Sequence, residues 1–233
     1  MSAPLPAPLV IAVDGPTASG KGTIAKALAR HYGLPHLDTG LLYRAVGYQC
    51  FHDGGNPDDP ADALAATAFP DGLLENPALR SEEIGGLASR VSVHAGVRQA
   101  LYERQRAFAT QPGGAVLDGR DIGTVIAPEA TAKLFVTASV KARAQRRFLE
   151  MQGRGLPATL DEIEADLAAR DERDRTRAAA PLVAAPDALT FDNSALSAEA
   201  SIAAAIALVE TRRTGQAPGV LINPILPDRP TPR

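Results

Sequence analysis

Short apolar runs alternate along the chain with stretches of helical spacing. Leu9 to Val13 is rich in β-branched residues and bounded by Pro8 and by Asp14-Gly15-Pro16, so it reads as a buried parallel strand entering a turn. Leu34 to Leu37 before Asp38, Ala115 to Leu117 before Asp118, Lys133 to Thr137, and Ala188 to Phe191 before Asp192 read as further strands. Ile24 and Leu28, four apart, mark a helix from Thr23 to His31 that Gly33 should stop. Helices are also expected over Leu41 to Phe51, most of Glu82 to Thr110 with a break near His94-Ala95-Gly96, Val140 to Gln152, Leu160 to Thr176, and Ala198 to Thr211. Strands alternating with helices define an α/β protein, expected to hold a five-stranded parallel sheet between helical layers.

His52 to Pro77 breaks this rhythm. Asp53 to Pro60, Pro70-Asp71-Gly72 and Asn76-Pro77 are turn chemistry, so the segment is expected to be a surface insertion with a helical turn or two. The domain reading is a main domain over residues 9–213, an insertion within it over 52–96, and a short glycine-flanked segment at 153–158 suited to a closing lid. Residues 214–233, rich in proline, are expected to form a loosely held tail.

Chemistry concentrates where strands end. Gly15-Pro16-Thr17-Ala18-Ser19-Gly20-Lys21-Gly22-Thr23 follows the first strand and opens a helix. Such a loop wraps backbone N–H groups around phosphate oxygens, and Lys21 adds a positive charge over the β and γ phosphates. The hydroxyl usually found immediately after the lysine is replaced by Gly22, which leaves Thr23 as the nearest candidate for magnesium. Asp118, ending the third strand, is a second candidate for the metal, with Gly119-Arg120-Asp121 at the same rim. The plainer alternatives are turn glycines before a helix, and an N-cap with a surface salt bridge.

One helix changes character along a single face. Ile163 and Leu167 set an apolar stripe that continues at the same spacing into Arg170, Asp174 and Arg177. Charges on an inward face should border water or a bound anion. Arg173 can approach the same cleft from the side, and Arg143, Arg146 and Arg147 extend the supply of guanidiniums from the preceding helix. A merely solvated helix end is the competing reading.

Together these residues resemble the bacterial cytidylate kinase family over roughly Val10 to Leu208. The resemblance rests on the phosphate loop, on Leu37-Asp38-Thr39-Gly40-Leu41-Leu42-Tyr43-Arg44, on Asp118 to Val125, and on Arg170 to Arg177 followed by Ala180-Pro181-Leu182. It implies a three-layer P-loop fold, ATP as phosphoryl donor with Mg²⁺, and CMP or dCMP as acceptor. It also implies acceptor binding by residues matching Thr39, Tyr43, Arg44, Ser89, Arg98, Arg120, Asp121, Arg170, Asp174 and Arg177; with the loop lysine and the charged stripe, this makes Lys21, Arg120, Arg170, Arg173 and Arg177 the residues expected to serve the transfer. Threonine at position 39 replaces the family's usual serine. The insertion lacks the strand patterning common in the family, so it is expected to be reduced.

Composition narrows the alternatives. A net charge of −3 gives no case for a nucleic-acid surface, and no stretch has the length of a membrane span. Cys50 is the single cysteine, which fits a reducing, cytoplasmic setting, and the chain is expected to act as a monomer on small nucleotides. A nucleotide-dependent switch protein would want an Asn-Lys-x-Asp segment, which does not occur. Kinases for UMP, dTMP or a hydroxy acid such as shikimate remain alternatives.

Overall fold

The computed structural model describes residues 8–215. The tail expected at 214–233 lies almost wholly outside them. The elements are β1 (Leu9–Asp14), α1 (Lys21–Tyr32), β2 (His36–Asp38), α2 (Thr39–His52), α3 (Pro60–Ala65), α4 (Glu82–Val91), α5 (Ala95–Ala109), β3 (Gly114–Gly119), β4 (Ala132–Thr137), α6 (Val140–Gly153), α7 (Leu160–Thr176), β5 (Leu189–Asp192) and α8 (Ala198–Thr214). Gly33 ends α1 in the left-handed conformation, at φ 65°, with its N–H on the Ala29 carbonyl.

The five strands form one sheet in the order β2-β3-β1-β4-β5, and every pairing is parallel. Its faces follow strand alternation. Ile11, Val13, Val116, Leu134 and Val136 pack with Ile24 and Leu28 of α1 and with Ala205, Leu208 and Val209 of α8. Val10, Ala12, Ala115 and Leu117 turn to the other face, against Ala109 of α5 and a single π-helical turn at Ile122–Ile126. Helices on both faces complete the expected three layers. The register sets Val13 and Asp38 beside Asp118, so the acid-bearing strand ends gather along one edge of the sheet.

The insertion is helical, and among the described residues it contains no strand. Its breakers serve as helix starts: Asp59 caps α3 ahead of Pro60, Asn76 caps a 3₁₀ turn ahead of Pro77, and Ser81 caps α4 through the Ile84 N–H. Ala63, Ala66, Phe69 and Leu79 are buried against Leu42 and Val46 of α2, Leu87 and Val91 of α4 and Val97 of α5, so the segment shares with α2 and α5 a cluster apart from those on the sheet. Turn chemistry in the sequence thus marked short elements that pack through small residues.

α6 and α7 pack on each other, and α6 reaches the loop after β1 through Arg143. Ile163 and Leu167 pack on Ala144, as the apolar stripe requires. Thr159 and Glu162 cap α7 reciprocally. Arg143, nearly fully buried, joins the helices through Asp171, with Nη2 to Oδ2 at 2.5 Å and Nη1 to Oδ1 at 3.1 Å.

Candidate active site

The phosphate loop holds its shape through positions that admit little else. A Cβ on Gly15 would lie 2.1 Å from the Val136 carbonyl oxygen, while Gly20 sits at φ 87° directly before α1. Ala18 is also left-handed, at φ 60°. Thr17 at the loop tip is held twice: Arg143 Nη1 donates to its carbonyl at 2.9 Å and Arg120 Nη2 to its hydroxyl at 2.7 Å. Asn193 Nδ2 donates to the Ser19 carbonyl at 2.9 Å. Lys21 is buried and its Nζ donates to the Pro16 carbonyl at 3.1 Å. Burial, followed by the nearby charge of Arg120, lowers its pKa to about 8.

A cavity of about 260 Å³ opens beside this loop. Every one of the ten expected acceptor residues lines it: Thr39, Tyr43, Arg44, Ser89, Arg98, Arg120, Asp121, Arg170, Asp174 and Arg177. Lys21 and Asp118 line it as well. Six lysine and arginine side chains face four carboxylates there, so this cleft is cationic in a chain whose net charge is negative.

The guanidiniums are set by carboxylates and carbonyls. Arg120 Nε donates to Asp174 Oδ2 at 2.9 Å. Burial alone would raise the Asp174 pKa, but Arg120, through its charge and hydrogen bond, together with the charges of Arg177 and Lys21 brings it down. Arg98 pairs with Asp121 and stands 5.5 Å from the centre of the Tyr43 ring. Arg44 Nη1 donates to the carbonyls of Leu79 and Ser81, each at 2.7 Å, and burial lowers its pKa to about 10. Arg177 lies between Asp121 and Asp174 at 3.7 and 3.8 Å, and its Nη2 is buried without a hydrogen-bond partner. The Ser19 hydroxyl is likewise orphaned in the phosphate loop. An oxyanion beside the loop would relieve such groups.

Two expected residues stand apart. Arg173 does not line the cavity; its Nη1 donates to the Ser89 hydroxyl at 2.7 Å, so it reaches the site through Ser89. Thr23 is exposed and lines a second cavity, of about 480 Å³, with Gly20, Arg146, Asn193 and Ser197. The structure therefore does not bring Thr23 and Asp118 together. Gly22 faces the acid instead: a Cβ there would stand 3.6 Å from Asp118 Oδ2. Among the described residues no cluster of three histidine, cysteine or acidic side chains could cage a metal.

Three polar residues were not singled out from the sequence. Asp14 accepts from the N–H groups of Ile122 and Gly123 at 2.9 and 2.8 Å, tying the end of β1 to the π-helical turn, and burial pushes its pKa up to about 7. Asp38 lines the cavity beside Thr39. His36 Nε2 lies 2.7 Å from Asp118 Oδ1. Asp14 and Asp38 carried a signal in the sequence, since both terminate apolar runs as Asp118 does; His36 carried none.

A parallel sheet with a phosphate loop at its strand ends, facing a cleft ringed by arginines, defines a P-loop phosphotransferase. The cytidylate kinase family model matches residues 11–211, and the chain belongs to that family. It is 56% identical over 208 residues to the cytidylate kinase of Xanthobacter autotrophicus, covering 89% of this chain and 100% of that one. The cytidylate kinase of Caulobacter sp. is 54% identical over 205 residues, covering 88% and 95%. That of Rhodopseudomonas palustris is 53% identical over 209 residues, covering 89% and 99%. Among solved structures, a Thermus thermophilus protein aligns with TM-score 0.42 at 22% identity, covering 87% of this chain and 97% of its own. No described helix is long and apolar enough to cross a membrane.

Proposed function

We propose that the protein transfers the γ-phosphoryl group of ATP to CMP or dCMP, giving CDP or dCDP and ADP. The observation that carries this reading is the cationic cavity that joins Lys21 to all ten residues expected to face the acceptor. ATP is read as lying along the phosphate loop with its base and ribose toward the second cavity, because Ala18 and the loop separate the two spaces and line both. The acceptor then occupies the arginine-ringed cavity, its phosphate within reach of Arg44, Arg120, Arg170 and Arg177.

The transfer joins an oxygen of the CMP phosphate to the γ-phosphorus while the bond to the β-bridging oxygen breaks, leaving ADP. Lys21 and Arg120 spread the charge that builds on the moving group, and Asp174 holds Arg120 ready for it. Asp118 is the protein group that would hold Mg²⁺, which neutralises β and γ oxygens when bound; a single carboxylate suits an ion that keeps much of its water. Arg98 is read as facing the polar edge of cytosine, a reading supported by its pairing with Asp121 beside Tyr43. The segment over 52–96 is read as the monophosphate-binding unit and 153–158 as a lid that excludes water.

Initial rates with CMP, dCMP, UMP, AMP, dTMP and shikimate at saturating Mg·ATP test the reading. CMP or dCMP should give the highest kcat/KM. Faster turnover of UMP, AMP or dTMP would remove the cytosine assignment while leaving a nucleotide kinase, and turnover of shikimate alone would remove both.

A further inference from the structure

Asp118 sits at the meeting of strand ends and phosphate loop, and how its carboxylate is aimed decides what it can do there. Its backbone is fixed by pairing with Val13 of β1 and Asp38 of β2. Its carbonyl accepts the Thr39 hydroxyl at 2.8 Å, an approach that needs the bare Gly119, where a Cβ would meet the same hydroxyl at 2.6 Å. None of this settles the rotation of the side chain, and the last torsion of an aspartate is broad.

His36 settles it. Residues two apart on a strand share a face, so His36 lies on the same side of β2 as Asp38, whose register partner is Asp118. From there Nε2 approaches Oδ1 at 2.7 Å, with the imidazole 15% and the carboxylate 6% exposed. Among the described residues no other hydrogen bond reaches that carboxylate. Holding Oδ1 turns Oδ2 toward Gly22 at the start of α1, the side on which the proposed ATP would set its phosphates. Position 22 has no side chain to come between that oxygen and the cavity that Gly22 and Asp118 both line.

We propose that His36 is a positioning residue for phosphoryl transfer: by donating from Nε2 to Oδ1, it fixes Asp118 with Oδ2 presented to the phosphates and their Mg²⁺. The proposal rests on the placement of ATP along the phosphate loop. The histidine touches no substrate, and it acts through the aim of the acid. Outer partners of metal-holding carboxylates are worth about 10- to 100-fold in metal affinity or activity.

The comparison of His36→Gln with His36→Leu tests it. A glutamine amide nitrogen reaches about as far from the backbone as Nε2 and donates, whereas leucine fills the space without a donor. The readouts are kcat, KM for CMP and ATP, melting temperature, and the affinity for Mn²⁺ in the presence of ADP and CMP, followed by the signal of free Mn²⁺ in electron paramagnetic resonance. His36→Leu should lose about 10-fold or more in kcat and in Mn²⁺ affinity, with KM for CMP within about threefold and melting little changed. His36→Gln should recover both losses to within about threefold of wild type. The proposal is overturned if leucine leaves kcat and Mn²⁺ affinity unchanged, or if glutamine and leucine fall together. Lack of CMP turnover by the wild type would count against the proposed acceptor instead, and the Mn²⁺ measurement would still decide the role of His36.

Discussion

Gly85 offers a test in which stability and activity should part. It is buried within α4, where a Cβ would lie 2.8 Å from Arg44 Nη2 and 3.2 Å from Arg170 Nη1. Alanine in a helix interior is favoured over glycine by about 1 kcal/mol, and both close atoms are the ends of flexible side chains, so the fold should survive. The guanidiniums cannot stay where they are. Relaxing a 2.8 Å approach to ordinary contact at 3.4 Å moves Arg44 against its tethers to the Leu79 and Ser81 carbonyls. Losing one of those hydrogen bonds costs about 1 kcal/mol and offsets the propensity gain. Misplacing a positioning group by about an ångström costs on the order of 100-fold in rate, so a smaller shift shared by two guanidiniums should lower kcat/KM for CMP by about 10- to 100-fold. Gly86→Ala is the control, because its Cβ would meet only Arg170 Nη2, at 3.9 Å. It should gain about 1 kcal/mol, read as a few degrees in Tm, at wild-type activity. Thermal melting and CMP kinetics on both variants decide the matter. A Gly85→Ala enzyme with wild-type kcat/KM for CMP would refute the placement of Arg44 and Arg170 at the acceptor phosphate.

Lys21→Ala should lower kcat by at least about 100-fold at saturating ATP, and near-normal turnover would remove its assigned role. Because its pKa is lowered to about 8 by burial and Arg120, kcat/KM for ATP in the wild type should fall as pH rises through that value and the ammonium is lost; a profile flat well past it would refute this. Asp121→Ala should reduce the preference for CMP over UMP by about 5- to 150-fold, from loss of about 1–3 kcal/mol, and an unchanged ratio across a Mg²⁺ titration would exclude base reading. Asp14, raised from 3.8 to about 7, binds its proton more tightly folded than unfolded, so stability from this group is present at low pH and lost as pH climbs between those values. Relative to Asp14→Asn, denaturant stability of the wild type should drop by on the order of 4 kcal/mol over that window, and a pH-independent difference would refute the assignment.

The strands were legible because parallel strands covered on both faces are written as unbroken apolar runs. The charged stripe of α7 was legible for a related reason: Ile163, Leu167, Arg170, Asp174 and Arg177 keep one helical spacing, and all five are buried. Spacing fails where a site depends on one step of a helix. Thr23 and Gly22 differ by a single residue, yet that step carries the side chain from one cavity to the other. His36 was beyond sequence reading because it belongs to a three-residue strand too short for any period, and its partner lies 82 positions away. The packing of the insertion was hidden for another reason. Small residues such as Ala63 and Ala66 leave little amphipathic contrast, and only the closed cluster reveals them as core.

The insertion's core and the clusters against the sheet share no residue. Tyr43, Arg44, Ser89 and Arg98 stand on α2, α4 and α5, which build the former, whereas the phosphate loop grows from the sheet. Contacts bridge them at the cleft: Arg98 pairs with Asp121 beyond β3 and Arg173 of α7 holds the Ser89 hydroxyl, so substitutions on the two sides share partners and should combine non-additively. The two cores are separate but the cleft is a seam stitched by those pairs, so redesigning its preference would mean changing both partners of each stitch together.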